Sequence, residues 1–458
     1  MNKRQRRWLF GSATSATLAL SAIAAPAPAT SVAVHPTVAE YVQLNGSTGQ
    51  TIAIVDSYGS DTIAHDLHVF NTAFGLQPMC GEEAVTCAAG LPTFSVLHLQ
   101  GSPATTAPPP TSKGPGQEDR SAWALEVSLD VETAHAIAPR ANILLVATPT
   151  AETLGVQGFP QMMAAEQYVI DHHLATVISQ SFASAEDAFG SAQSLENLRY
   201  AFKSAAQNGV TVLGSSGDSG TANVRKSPVS KGGTLIPYPT VEWPASDPLV
   251  TGVGGTYLCT DPNNTTSRVV DSTDPPAKCR AFPGVAEVGW TFSGGGFSDV
   301  FSRPGYQDSL PAGSTAIGAM RGVPDVGLQA SPGTGALVYI SLPPDGQSGL
   351  SCGSAPCSTG WYDIGGTSLS CPQWAGLVAL ADQVNGGGLG LINPALYRIG
   401  ANPARYAADF YDVTTGNNTA DPTVPGYPAT VGWDPVTGLG TPNAANLVPD
   451  LVSAAHGG

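Results

Sequence analysis

The chain has 458 residues, of which only 12% are charged; 19 Lys and Arg stand against 35 Asp and Glu, for a net charge of −16. Phosphate backbones need a basic footprint, so this balance excludes nucleic acid as a partner. Seven cysteines with 53 glycines and 38 prolines describe a loop-rich globular protein of an oxidising compartment.

Residues 1–29 read as a secretion signal. Met1 to Arg7 is a basic start, Trp8 to Ala25 a short apolar stretch diluted by Gly and Ser, and small-residue cleavage options follow at Ala22-Ile23-Ala24 and Ala27-Pro28-Ala29. No later segment reaches eighteen apolar residues, so the mature protein is expected to be secreted, extracellular and free of the membrane. Losing Lys3, Arg4, Arg6 and Arg7 would move the net charge from −16 to −20. Few Lys and Glu among many Ser, Thr and Gly suit a protein that works in acid, where protonation relieves self-repulsion. Residues 30–47 form a short N-terminal segment, and one domain is expected over 48–455.

From Thr51 short apolar runs alternate with helical stretches. Ile52 to Val55 is a buried strand closed by Asp56-Ser57-Tyr58-Gly59, and the segment around Ala64 to Phe74 is helical. Gly101 to Gly116 is a Pro/Ser/Thr-rich surface loop. The spacing predicts helices over Ser121–Ala138, Met162–His172 and Leu195–Asn208, and strands over Asn142–Ala147, Thr176–Ser179 and Val210–Gly214. This alternation gives an α/β fold with a mainly parallel central sheet flanked by helices on both faces, whose ligands gather at the carboxyl ends of the strands. Proximity offers disulfides Cys80–Cys87, Cys259–Cys279 and Cys352–Cys357, leaving Cys371 as a buried small hydrophobe.

Three groups of residues carry chemistry. Gly365-Gly366-Thr367-Ser368 precedes an apolar helix, placing the Ser368 hydroxyl at a loop-to-helix junction that favours developing negative charge. The plain alternative is an N-cap from Thr367 or Ser368. Glu126 and Asp130 are four apart on one helix face, where two acids repel unless they share a proton or are held by a partner, which splits their pKa values. Asp218 stands after a buried strand in Ser215-Ser216-Gly217-Asp218-Ser219-Gly220; if protonated, it can donate to an oxyanion.

In that order Glu126-xxx-Asp130, Ser-Ser-Gly-Asp218-Ser-Gly and Gly-Thr-Ser368-xxx-Pro resemble the sedolisin family of serine-carboxyl peptidases. The likeness extends through Ala53 to Gly59, Trp243-Pro244-Ala245-Ser246, Val253-Gly254-Gly255-Thr256, Ser293 to Ser298 and Arg321 to Val326. It implies a subtilisin-like fold and peptide-bond hydrolysis in acid, by endopeptidase or tripeptidyl-peptidase action. Carried over, Ser368 is the nucleophile, Glu126 its general base, Asp130 the residue that orients Glu126, and Asp218 the oxyanion-hole acid. A carboxylate suits the base role in acid, where histidine would be charged. The resemblance also implies one structural Ca²⁺, held by the carboxylates of Asp412 and Asp434 and the carbonyls of Val413, Thr430 and Gly432, a hard oxygen set.

The chain departs from the family in two respects. Only about twenty residues separate the signal from the domain, which leaves no room for the family's long prodomain. Some members extend the carboxylate network with a tryptophan, where this chain has Ser181-Phe182. A Ser-His-Asp peptidase is disfavoured because none of the eight histidines sits in a His-Gly-Thr-His setting, and His135 reads as a partner for its helix's C-terminal dipole. The remaining alternative is a catalytically silent exported binding protein on a peptidase scaffold. Protein or peptide substrates and a monomeric state are the expected partners and assembly.

Overall fold

Every residue of Ile52-Ala53-Ile54-Val55 is apolar, and both faces of the strand it forms are buried. Ile52 and Ile54 pack into one core with Val127, Val131 and Trp374. Ala53 and Val55 point to the opposite core with Phe159, Met162, Ile178 and Trp243. A strand with a core on each side must lie inside a sheet covered by helices. The computed structural model describes residues 49–109, 120–151, 158–225, 233–259, 285–342, 351–352 and 355–457. The signal and N-terminal segments expected over 1–47 lie outside them, as does Cys279.

The sheet is built from β1 (Thr51–Ser57), β2 (Phe94–Gln100), β3 (Thr105–Thr106), β4 (Asn142–Thr148), β5 (Val177–Gln180), β6 (Thr211–Ser215), β7 (Thr251–Leu258) and β8 (Glu287–Gly289), in the order β8-β7-β6-β5-β1-β4-β2-β3. A ninth strand, β9 (Val326–Gln329), pairs in parallel with β7. The interior pairings are parallel, with Ile54 opposite both Leu145 and Ser179. Only β3 and β8 run antiparallel to their neighbours. The loop expected over 101–116 thus contributes β3, and residues 110–119 lie outside the described ones.

Helices α1 (Ile63–Phe74), α2 (Arg120–Ile137) and α6 (Thr367–Asn385) take one face; α3 (Phe159–Asp171), α4 (Ala192–Glu196) and α5 (Tyr200–Gln207) take the other. The single helix expected over Leu195–Asn208 is broken between α4 and α5, where Arg199 turns inward to bond buried Asp247 at 2.5 and 2.9 Å. Helices α2 and α6 cross at Gly376. A β-carbon there would lie 2.7 Å from the Ile137 side chain, so glycine is what lets the two site-bearing helices approach. A two-stranded ribbon, β10 (Ala336–Ile340) and β11 (Gly360–Ile364), packs on α2 through Val338, Ile340, Tyr362 and Ile364 against Leu129. Cys80 and Cys87 form the expected disulfide, Cys371 is a buried free thiol, and Cys259 and Cys357 are disulfide-bonded.

Candidate active site

Asp56 lies near the carboxyl end of β1, Ser181 just past β5 and Asp218 just past β6. These three strands are neighbours, so the parallel arrangement alone brings the residues to one edge. Helix α2 crosses the same region and contributes Glu126 and Asp130 one turn apart. Helix α6 begins at Thr367, with Ser368 in its first turn. Gly366, at φ 129°, turns the chain into the helix, and a β-carbon on it would meet Asp218 Oδ2 at 2.7 Å. Pro372 removes the amide that would bond the Ser368 carbonyl in a regular helix.

The side chains converge. Ser368 lies close enough to Glu126 for its hydroxyl to favour the ionised carboxylate. Ser181 Oγ donates to Asp130 Oδ1 at 3.0 Å. Asp218 Oδ1 accepts from the Thr367 amide at 2.7 Å and from the Thr367 hydroxyl at 2.9 Å. That hydroxyl in turn accepts from the Gly217 amide at 3.0 Å. Asp218 Oδ2 therefore faces the nucleophile's loop while Oδ1 is held. Glu126 and Asp218 keep part of their surface open to the cleft, whereas Asp130 and Asp56 are sealed.

Burial dominates the electrostatics. It pushes Glu126 up to about 8, with the negative fields of Asp56 and Asp218 adding to the rise and the Ser368 hydroxyl opposing it. Asp130 is raised by burial, then by Asp56 and Glu126. Asp218 is raised to about 6 by burial, against the two bonds from Thr367. Asp56, Glu126 and Asp130 form one set of interacting carboxylates: the charge of Asp56 acts on both of the others, and the Glu126 and Asp130 ionisations belong to the pair and not to single residues. In acid Asp218 carries its proton, as an oxyanion donor must.

All four residues expected from the motifs are brought together here. Asp56 is the functional neighbour that motif reading passed over. Its one local signal is an acid closing an otherwise apolar buried strand. Thr367 was considered only as a cap, yet it is the group that orients Asp218. Two readings are corrected. Gly366, not Thr367 or Ser368, is the N-cap, and it makes no side-chain cap bond; the two hydroxyls face Asp218 and Glu126 instead. His135 does not serve its helix as a charged partner. It is buried, bonds the Gln77 carbonyl at 2.9 Å, and is lowered by burial to about 4, so it is neutral across most of the pH range. The Cys371 thiol, pushed up to about 12 by burial, sits 3.5 Å from Ser179 Oγ as a packed hydrophobe.

Of the five residues carried over for Ca²⁺, Asp412 meets Gly432 and Asp434 meets Thr430. Asp412 accepts from the Gly432 amide at 3.1 and 3.0 Å. Asp434 accepts from Thr430 at 3.1 Å, Val436 at 2.8 Å and Thr437 at 3.0 Å. Tyr406 lies within the negative fields of both Asp412 and Asp434.

No protein-family model matches the chain. Kumamolisin of Bacillus sp. (strain MN-32) is 33% identical over 334 residues, covering 72% of this chain and 51% of that protein. Tripeptidyl-peptidase 1 of Homo sapiens is 30% identical over 359 residues, covering 74% and 54%. Among solved structures, Pseudomonas sedolisin, a serine-carboxyl proteinase complexed with two molecules of pseudo-iodotyrostatin, superposes with a TM-score of 0.61 at 26% identity, over 87% of this chain and 91% of that one. The chain belongs to the sedolisin family. It has the family's subtilisin-like fold, a mainly parallel sheet between helices. This sedolisin-family chain spans about half the length of the curated relatives it matches. No described helix is long and apolar enough to cross a membrane.

Proposed function

We propose that this chain is a secreted, monomeric serine-carboxyl peptidase acting in acid on proteins or peptides, with its catalytic domain over 48–455 after a signal at 1–29. The observation that carries the reading is Asp218 pinned by the Thr367 amide and hydroxyl beside Ser368, with Glu126 close enough to Ser368 for the hydroxyl to act on its carboxyl. Ser368 Oγ attacks the substrate carbonyl carbon as its proton passes to Glu126 in its ionised form. The Ser368 hydroxyl favours placing the carboxylate set's negative charge on Glu126 rather than on Asp56 or Asp130, and Asp130 holds Glu126 toward the serine. The protonated Asp218 donates to the oxyanion. Collapse expels the amine with the proton from Glu126, and water repeats the sequence on the acyl-enzyme. The set must lose a proton to supply the base while Asp218 must keep its own to donate, so the rate depends on both ionisations. A silent binding protein has no observation in its favour, since all four chemical groups meet in one cleft.

The same reading includes one structural Ca²⁺. Among the described residues no three or more His, Cys, Asp or Glu side chains are placed to hold a metal; the expected set has only two carboxylates, completed by backbone oxygens. It fits the ion: Asp434 is buried and raised by that burial to about 7, Asp412 is likewise raised, and neither has a cationic partner among the described residues. Asp412, Asp434 and the carbonyls of Val413, Thr430 and Gly432 would hold the ion, which would neutralise the pair and tie the two loops together.

Purified protein should cleave a denatured protein near about pH 3–5, and Ser368→Ala and Glu126→Ala should each abolish cleavage. Activity surviving either change overturns the assignment.

A further inference from the structure

The ribbon β10–β11 delivers the nucleophile, because Gly365-Gly366-Thr367-Ser368 follows β11 directly. All five residues of β10 pair with β11 along one edge. The amides on the other edge need partners as the ribbon lies against the helices. Two fully buried acids supply them. Glu132 Oε2 accepts from the Tyr339 amide at 2.9 Å, and Asp66 Oδ1 accepts from the Ser341 amide at 3.1 Å. Asp66 is itself held by the Thr62 hydroxyl at 2.8 Å. Glu132 lies on α2, two residues past Asp130 and six past Glu126. One helix thus grips the nucleophile's ribbon and presents the base to the nucleophile.

The geometry points to Glu132, seconded by Asp66, as a positioning residue: a clasp that sets the distance between the helix bearing Glu126 and the strand leading to Ser368. The closed path runs from Glu132 through Tyr339, β10, β11 and Ser368 to Glu126 and back along α2. Without the clasp the ribbon still has its apolar face on α2, through Val338, Ile340 and Tyr362, so the fold survives while the Ser368–Glu126 pairing loses its register. Burial raises both acids, which favours the protonated carboxyl, and its carbonyl oxygen can accept the amide as the carboxylate does. The glutamine isostere should therefore serve in place of Glu132.

This inference rests on the peptidase reading. The test measures kcat and KM on a peptide substrate in acid for Glu132→Ala and Glu132→Gln, with circular dichroism to confirm folding. Glu132→Ala should lose about 10- to 100-fold in kcat with KM within about two-fold, because the reacting atoms are misplaced while binding is spared. Glu132→Gln should recover to within about three-fold of the parent. A folded Glu132→Ala protein with the parent's kcat, a loss in KM alone, or no rescue by glutamine overturns the clasp. If Glu132→Ala does not fold, amide hydrogen exchange on the Ser368→Ala protein decides. Tyr339 and Ser341, which have no strand partner on that edge, should be protected, and rapid exchange at both overturns it. Cleavage that persists in Ser368→Ala sinks the peptidase reading itself; loss there with an unimpaired Glu132→Ala sinks only the clasp.

Discussion

Glu166 on α3 offers a direct measure of how far this protein's interior is built for acid. It is fully buried, and among the described residues neither carboxyl oxygen has a hydrogen-bond partner. Burial alone raises it well above its ordinary value of 4.5. The sign follows from linkage. A carboxyl whose folded pKa is raised keeps its proton in the folded state, so the stability it contributes is full below 4.5. That stability is lost as pH climbs from 4.5 toward the folded value, at about 1.36 kcal/mol per pH unit. The loss continues only until pH reaches the folded value. Glu166→Met keeps the volume and removes the titration. At pH 4 its stability should match the parent within about 1.5 kcal/mol, the usual range for a volume-conserving change. At pH 7 its stability relative to the parent should be clearly higher than at pH 4. Urea unfolding at the two pH values, in a Ser368→Ala background to prevent self-digestion, reads the difference as a shift in midpoint at constant slope. An equal change at both pH values would show that Glu166 does not titrate on unfolding, and the argument would fail.

Asp218, raised to about 6, should lose its donor proton about tenfold per pH unit above that value, which adds an alkaline limb to kcat/KM. Asp218→Asn, whose amide donates at any pH, should be slower in acid but lose that limb; an unchanged alkaline fall would refute the donor role. Arg321 and Asp325 form a fully buried pair at 2.7 Å, with Arg321 also bonding the Ala245, Ser246 and Val250 carbonyls. Asp325→Ala strands the guanidinium and should cost about 3–5 kcal/mol by urea unfolding; a cost under about 1 kcal/mol would contradict the accounting. Chelation of Ca²⁺ should lower the melting temperature by a few degrees, since an ion at about a hundredfold excess over its Kd stabilises by about 2.7 kcal/mol. No shift argues against that site.

Much of the site was legible because its residues sit in short, locally decided motifs. The spacing of Glu126 and Asp130 puts both on one face of any helix. Gly366-Thr367-Ser368 before an apolar run marks a strand-to-helix turn, and the acid of Ser216-Gly217-Asp218 closes a buried strand. What went astray was decided at long range. Arg199 leaves its helix for Asp247, 48 residues away, a pull that local propensity does not record. The edge strand β2 reads as irregular because only some of its residues are buried, and β9 is too short to announce itself.

The sequence by itself determined the fold class, the family resemblance and which four residues to propose as the reacting groups, since apolar period, turn residues and i,i+4 spacing are properties of neighbouring residues. Only the tertiary structure decided how those groups are tuned. Asp56 joins Glu126 and Asp130 because β1 runs beneath α2, Thr367 serves Asp218 rather than the helix end, and His135 is neutral because it is buried against the Gln77 carbonyl. Protonation depends on burial and on the charges that surround a group in space, and those are set by contacts between residues far apart in the chain.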